Sequence, residues 1–205
     1  PSLWVGALVG WERQARFRDS PDRDAPAAMT AALLKLAAQE KIAPQADRQV
    51  SDWIRIQTAT VLAKLGSPGQ NGEVHSALLK MLAGEAEPKL LLDNRCQVAL
   101  LLGQLNYQGA TVDGQATAEA ILALVDDVVS AEAKEAKGFE QLHLGGYAMG
   151  PPPKGRAKID FETRQPVYDR RTLLARLGDV RTAVEKTKPI VPAEQQATFD
   201  AIVAA

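Results

Sequence analysis

A chain of 205 residues with 24 basic and 25 acidic side chains has the size of one domain and almost no net charge. Without an excess of Lys and Arg, a surface that displaces counterions from nucleic-acid phosphates is disfavoured, so no nucleic acid is expected as a partner. The single cysteine, Cys96, excludes an internal disulfide, and no apolar stretch reaches the roughly 20 residues of a membrane-spanning helix.

Alanine and leucine are frequent, and aromatic side chains make up only 5% of the chain. This composition favours helices over sheets, because alanine and straight-chain residues have the highest helix propensities, whereas sheets prefer β-branched and aromatic residues. Residues 3–11 are apolar but too few to span a membrane. The chain begins at Pro1 rather than Met, as expected of a processed or trimmed chain, so no targeting signal is assigned.

Two families of segments alternate along the middle of the chain. In the first family, segment 55–66 is followed forty residues later by segment 95–106, and the two share an arginine, a glutamine, an alanine and two leucines. The second family contains the apolar segments 32–37, 77–82 and 120–125, at spacings of 45 and 43 residues. Apolar residues in these segments recur every three or four positions, on one face of a helix. The sequence therefore predicts repeated helical hairpins.

The first-family segments resemble the first helix of a HEAT repeat. Asp52 and Arg55 stand early in one of these helices, and Asp93 and Arg95 stand early in the other; small residues, leucines and a glycine follow. The second-family segments resemble the second helix of the repeat. The resemblance is clearest over residues 50–130, and it implies a right-handed α-α superhelix of HEAT-like hairpins that acts as a binding scaffold.

The last third of the chain departs from the repeat. Residues 145–155 are rich in glycine and proline and cannot form a helix, whereas residues 158–162 alternate in polarity like a short strand. The sequence thus predicts one all-α domain with an irregular insertion, which holds either a small β-hairpin or an ordered surface loop. The boundaries are 1–205 for the domain, about 20–137 for the repeats, 138–168 for the insertion and 169–205 for a C-terminal helical pair. The expected buried stripe of that pair's first helix is Leu173, Leu177, Val180 and Val184.

No metal or catalytic site is predicted. Zinc sites need several closely spaced histidine or cysteine ligands, and here His75, His143 and Cys96 are scattered. The serine elbow Gly-x-Ser-x-Gly is absent. The acidic residues around Asp127 and Glu132 are interpreted as a solvated helix face. We therefore expect no cofactor and no enzymatic activity.

The chain is predicted to be a scaffold whose partner is another protein or a peptide. Arg55 and Arg95, at equivalent repeat positions, are expected to bond to carboxylates or helix ends, with ligand contact as the alternative; an exposed Trp53 would be an interface anchor. The possible interaction surface comprises Trp53, Arg55, Arg95, Tyr107, His143 and Tyr147. Two alternatives are a nucleic-acid-binding HEAT-like module, which needs a basic concave face, and a HEAT-like enzyme, which needs a deep pocket of converging His, Asp or Glu side chains.

Overall fold

The fold is all-α, as predicted from the composition. The structure is a computed structural model that describes residues 2–15, 25–38, 48–85, 89–144, 158–159, 166–167 and 171–204. Its helices are α1 (Ser2–Ala15), α2 (Ala25–Ala37), α3 (Arg48–Leu65), α4 (Glu73–Ala83), α5 (Leu92–Leu102), α6 (Gly114–Leu144), α7 (Arg171–Thr187) and α8 (Ala193–Ala204). A 3-10 turn, Lys188–Ile190, joins α7 to α8.

The predicted insertion begins later than the sequence suggested. Helix α6 continues to Leu144, seven residues beyond the expected boundary at 137. A single glycine, Gly138, lowers helix stability by only about 1 kcal/mol, and good helix formers surround it. Two short strands, β1 (Lys158–Ile159) and β2 (Pro166–Val167), pair antiparallel. This pairing is two residues long and residues 160–165 lie outside the described residues, so the small β-hairpin stays a prediction.

The helices lie in two rows. Helices α1, α3, α5 and α7 pack side by side in chain order, and so do α2, α4 and α6. Across the two rows, α2 packs against α3, α4 against α5, α5 against α6 and α6 against α7. The second-family positions Leu33, Leu78 and Ile121 are all fully buried, on α2, α4 and α6. The sequence repeat therefore places equivalent residues at equivalent depths in a shared apolar core.

The loops at one end of the two rows also repeat. The Asn106 N–H donates a 2.8 Å hydrogen bond to the Gly66 carbonyl oxygen, so the backbone joins two positions that are forty residues apart in sequence. Gly69 and Gly109, again forty residues apart, both have positive φ, at 91° and 71°. Only glycine adopts this backbone region without steric strain. The α3–α4 and α5–α6 loops thus stack on each other through equivalent turns.

Two further glycines allow close packing against the C-terminal helices. A Cβ at Gly103 would lie 2.9 Å from the Lys186 Cβ, and a Cβ at Gly114 would lie 1.9 Å from the Ile190 carbonyl oxygen. The end of α5 and the start of α6 can therefore approach α7 and the 3-10 turn only because these positions lack a side chain.

We expect Gly114→Ala to lower the free energy of unfolding by about 1–3 kcal/mol, because the new methyl group must displace the Ile190 backbone. The matched control is Gly178→Ala within α7, where a Cβ meets nothing within 4 Å. That change should stabilise the chain by about 0.5–1 kcal/mol, since alanine is the better helix former. Urea unfolding of both variants measures the difference. Equal stability of the two variants would show that α6 does not abut the 3-10 turn.

Candidate functional site

A buried arginine on α5 joins both rows of helices. The Arg95 guanidinium donates from Nε to the Leu82 carbonyl oxygen at 2.7 Å and from Nη1 to Asp127 Oδ2 at 2.5 Å. Leu82 lies in the last turn of α4, where backbone carbonyls lack helical partners. The hydrogen bond from Arg95 lowers the pKa of the Asp127 carboxyl, and the Lys89 ammonium, 3.8 Å away, adds to this effect. Arg95 therefore fastens α5 to α4 and α6.

A second buried arginine, on α7, repeats this arrangement one helix further along the row. Arg176 donates from Nε to Asp93 Oδ1 at 2.5 Å and from Nη1 to Glu132 Oε1 at 3.1 Å. Glu132 is only 7% exposed. The interpretation of this acidic stretch as a solvated helix face is therefore wrong for Glu132, because its carboxylate points inward to α7.

A third buried arginine lies on α3. The Arg55 side chain is 2% exposed, and its Nη1 lies 3.8 Å from Asp52 Oδ1. Burial lowers the pKa of Arg55, and the Asp52 carboxylate partly opposes that change. Arg55, Arg95 and Arg176 form an arginine row along α3, α5 and α7. The Arg55 and Arg95 side chains are only 2% and 3% exposed, although Arg95 lines an opening described below, so their part in an interaction surface stays a prediction.

Tyr107 belongs to a polar cluster beneath the stacked loops. Its hydroxyl donates to the Leu102 carbonyl oxygen at 2.8 Å, and its ring packs edge-on against His75, with centroids 5.8 Å apart. The Thr117 hydroxyl donates to the Asp113 carbonyl oxygen at 2.6 Å and thus accepts from His75 Nε2 at 2.9 Å. Burial lowers the pKa of His75, and the Asp113 carboxylate partly opposes this. Tyr107 is thus half-buried and positioned by the fold.

Trp53 is the one predicted surface residue that the structure shows exposed, with 40% of its surface accessible. His143 lies near the end of α6, but its side chain and the whole of Tyr147 lie outside the described residues. Val9 on α1 is exposed as well, and four other exposed apolar side chains among the described residues lie on α3 and α7 or directly before α5. We call these residues the apolar face, and its members are Val50, Trp53, Leu91, Leu174 and Leu177.

Two hydrogen bonds join the chain segments that carry the apolar face. The Arg48 Nη2 group donates to the Lys89 carbonyl oxygen at 2.8 Å, which brings the start of α3 next to the start of α5. The bond between Arg176 and Asp93 brings the first half of α7 to the same place. The apolar face therefore follows the N-terminal halves of three neighbouring helices. Sequence reasoning missed Leu174, which is 66% exposed on α7.

A cleft of about 510 Å³ lies between the α3–α4 and α5–α6 loops, and glycine backbone and neutral Ser, Asn and Gln side chains provide its polar groups. A second opening, the basic pocket, has a volume of about 330 Å³ and is lined by Arg48, Lys89, Leu90, Leu91, Leu92, Arg95 and Asp127. The described lining of neither opening contains a histidine or cysteine that could serve as a base or nucleophile.

The described part of the chain offers one thiol and no cluster of metal-binding side chains. Burial raises the pKa of the Cys96 thiol to about 11, so the thiol is protonated at neutral pH. No group of three or more His, Cys, Asp or Glu side chains within the described ranges is arranged to hold a metal ion. None of the described helices is both long and apolar enough to cross a membrane.

Comparison with models of protein families, with curated proteins and with solved structures found no match to this chain. The function proposed below is therefore inferred from the contacts and surfaces of the chain itself.

We expect Arg176→Met to lower the free energy of unfolding by about 3 kcal/mol, because it removes the cation beside the buried Glu132 carboxylate. The control is Arg181→Met on the same helix, which breaks the exposed pair between Arg181 and Glu185. That pair contributes no more than about 0.5 kcal/mol. Chemical denaturation compares the two variants, and similar losses would show that the arginine row does not stabilise the fold.

We expect the chain to lose stability between pH 7.5 and 5.5 through His75. The unfolded histidine, with a pKa near 6.5, takes up a proton first as the pH falls, because burial lowers the pKa in the folded state. The unfolded state then binds more protons, and the free energy of unfolding falls by at most about 1.4 kcal/mol. Urea unfolding at both pH values, in a His143→Gln background, measures this term. Adding His75→Gln should remove it, and an unchanged pH dependence would contradict the assignment.

Proposed function

We propose that this chain is a non-catalytic scaffold that binds another protein through the apolar face. The observation that carries the proposal is the exposure of tryptophan and leucine side chains along three neighbouring helices. Scattered exposed apolar residues are ordinary, whereas apolar residues grouped on one surface are typical of interaction sites. Trp53 supports the proposal most, because tryptophan is enriched among the residues that contribute most to binding.

The arrangement of the helices supports a HEAT-like, right-handed superhelix as the architecture of this scaffold. Two rows of helices, stacked equivalent loops and arginines that recur along one row are what such a repeat would produce. In a stack of helical hairpins, the first helices line one side and the second helices line the other. Residues on successive helices of one row therefore form a continuous surface. The apolar face lies on such a row.

The decisive experiment compares matched serine substitutions at exposed apolar positions. We expect Trp53→Ser and Leu174→Ser to weaken binding of the partner protein at least tenfold, because each removes an apolar anchor from the face. Val129→Ser is the control, because Val129 is also an exposed apolar residue, but on α6 in the other row. The partner is first captured from a lysate with the unmodified chain and identified. Its affinity for each variant is then measured by titration calorimetry.

Circular dichroism establishes that each variant remains folded before its binding is measured. Loss of affinity in Trp53→Ser and Leu174→Ser, with affinity retained in Val129→Ser, supports the scaffold. Equal affinity in all three variants means that the apolar face does not bind the partner. Capture of nucleic acid instead of a protein, with binding that weakens steeply as salt increases, would favour the nucleic-acid module.

A further inference from the structure

The basic pocket lies where the starts of α3 and α5 meet α6. The Arg48 and Lys89 side chains are about half exposed at its rim, and Arg95 is buried beside them. The bond from Arg48 to the Lys89 carbonyl oxygen holds the rim together. One side of the pocket is therefore fixed by the fold, while two cationic groups stay accessible to a ligand.

Positive charge exceeds negative charge in the described lining of this pocket. Among the described residues, Asp127 is the one carboxylate in its lining, and it is shared between Arg95 at 2.5 Å and Lys89 at 3.8 Å. The buried Asp52 carboxylate lies next to the pocket, 3.9 Å from Arg48. Three cations thus face two carboxylates, and one of these carboxylates also neutralises Arg55. A ligand with a negative charge would balance the excess.

The local backbone adds to this preference for an anion. Leu91 is the N-cap residue of α5, and its side chain has no oxygen that could accept a hydrogen bond from the first turn. The positive end of the helix dipole lies at the lining residues Leu91 and Leu92, and Asp93 in the first turn of α5 offsets part of it. This contribution supplements the charges of Arg48 and Lys89, which are the groups that a ligand would touch.

Leu91 gives the pocket an apolar edge, which favours an acidic peptide over a nucleic acid as the anionic partner. Leu91 is 48% exposed and belongs both to the pocket lining and to the apolar face. An acidic peptide segment can place a carboxylate between Arg48 and Lys89 and an apolar side chain against Leu91. A nucleic-acid backbone carries repeated charge and no such apolar group, so it matches this edge poorly.

We propose that the basic pocket binds an acidic segment of the partner protein, with an Asp or Glu carboxylate between Arg48 and Lys89 and a neighbouring leucine or phenylalanine against Leu91. This inference rests on the proposed scaffold function and specifies the chemistry of its partner. Charge-assisted hydrogen bonds from an arginine and a lysine to one carboxylate are stronger than neutral ones, and they favour acidic sequences over their amide counterparts.

The probe is a phage-displayed library of random 12-residue peptides, selected on the full chain. We expect enriched peptides to pair Asp or Glu with Leu or Phe, and the best of them to bind at least tenfold more weakly when its acids are replaced by Asn or Gln. Fluorescence polarisation measures the affinities. Enrichment of peptides without acidic residues, or of no peptide at all, would overturn the inference.

Variants of the chain then locate the binding site. Lys89→Gln should weaken the acidic peptide about tenfold and Arg48→Gln/Lys89→Gln further, whereas Lys89→Arg should retain binding. Lys80→Gln, at an exposed lysine on α4, is the matched control. Lys89→Gln is informative by itself, because the Lys89 side chain is about half exposed and its ammonium lies 3.8 Å from Asp127, the carboxylate it faces among the described residues. Equal binding by Lys89→Gln and Lys80→Gln would overturn the assignment to this pocket.

Two further outcomes separate this inference from the scaffold proposal. If peptides bind through Trp53 but are unaffected by Arg48→Gln/Lys89→Gln, the scaffold function stands and the basic pocket is excluded. Binding of a labelled DNA duplex that weakens in Arg48→Gln/Lys89→Gln would locate the duplex in the pocket. If that duplex does not displace the acidic peptide, the peptide binds elsewhere, the pocket recognises phosphate and the inference is wrong. Binding of the acidic peptide that depends on both Lys89 and Leu91 supports it.

Discussion

The arrangement of the two rows depends on the need to satisfy buried guanidinium groups. A buried arginine without partners would be strongly destabilising, and Arg95 and Arg176 each meet carboxylates or a carbonyl oxygen in a fixed geometry. Arg95 meets this need with the last turn of α4 and with Asp127 of α6, and Arg176 does so with α5 and with Glu132 of α6. These bonds fix which helices are neighbours, whereas apolar packing alone tolerates many arrangements.

The same bonds determine what remains on the surface. Because Arg176 is directed towards α5 and α6, Leu174, two residues earlier, lies on the outer side of α7 and is 66% exposed. On α3 the inward direction of Arg55 similarly leaves Trp53, two residues earlier, on the outer side. The apolar face and the arginine row are therefore two consequences of one helical orientation. The rotation of α3 and α7 that buries Arg55 and Arg176 also exposes Trp53 and Leu174.

The fold class and the most deeply buried residues could be predicted from the sequence, but the ion pairs of the buried arginines could not. Helical periodicity and the repeat spacing located Leu33, Leu78 and Ile121, because burial on one helix face depends on local pattern. The stripe predicted for α7 included Leu177, which is exposed, because the buried face is rotated towards Arg176. No local pattern could reveal this, since the carboxylates that bind Arg176 lie 83 and 44 residues away.

Chemistry rather than volume distinguishes the two openings as candidate sites. The cleft between the stacked loops is the larger, yet its polar groups are backbone and neutral side chains, many of which already bond to one another: the Gly69 N–H to Ser67 and the Gln108 N–H to Asn106. Such groups gain little from a ligand, because each new hydrogen bond replaces an existing one. The basic pocket is smaller, but it combines accessible cations with an apolar edge that continues into the apolar face. A partner that engages the face can therefore reach the pocket with a single extended segment.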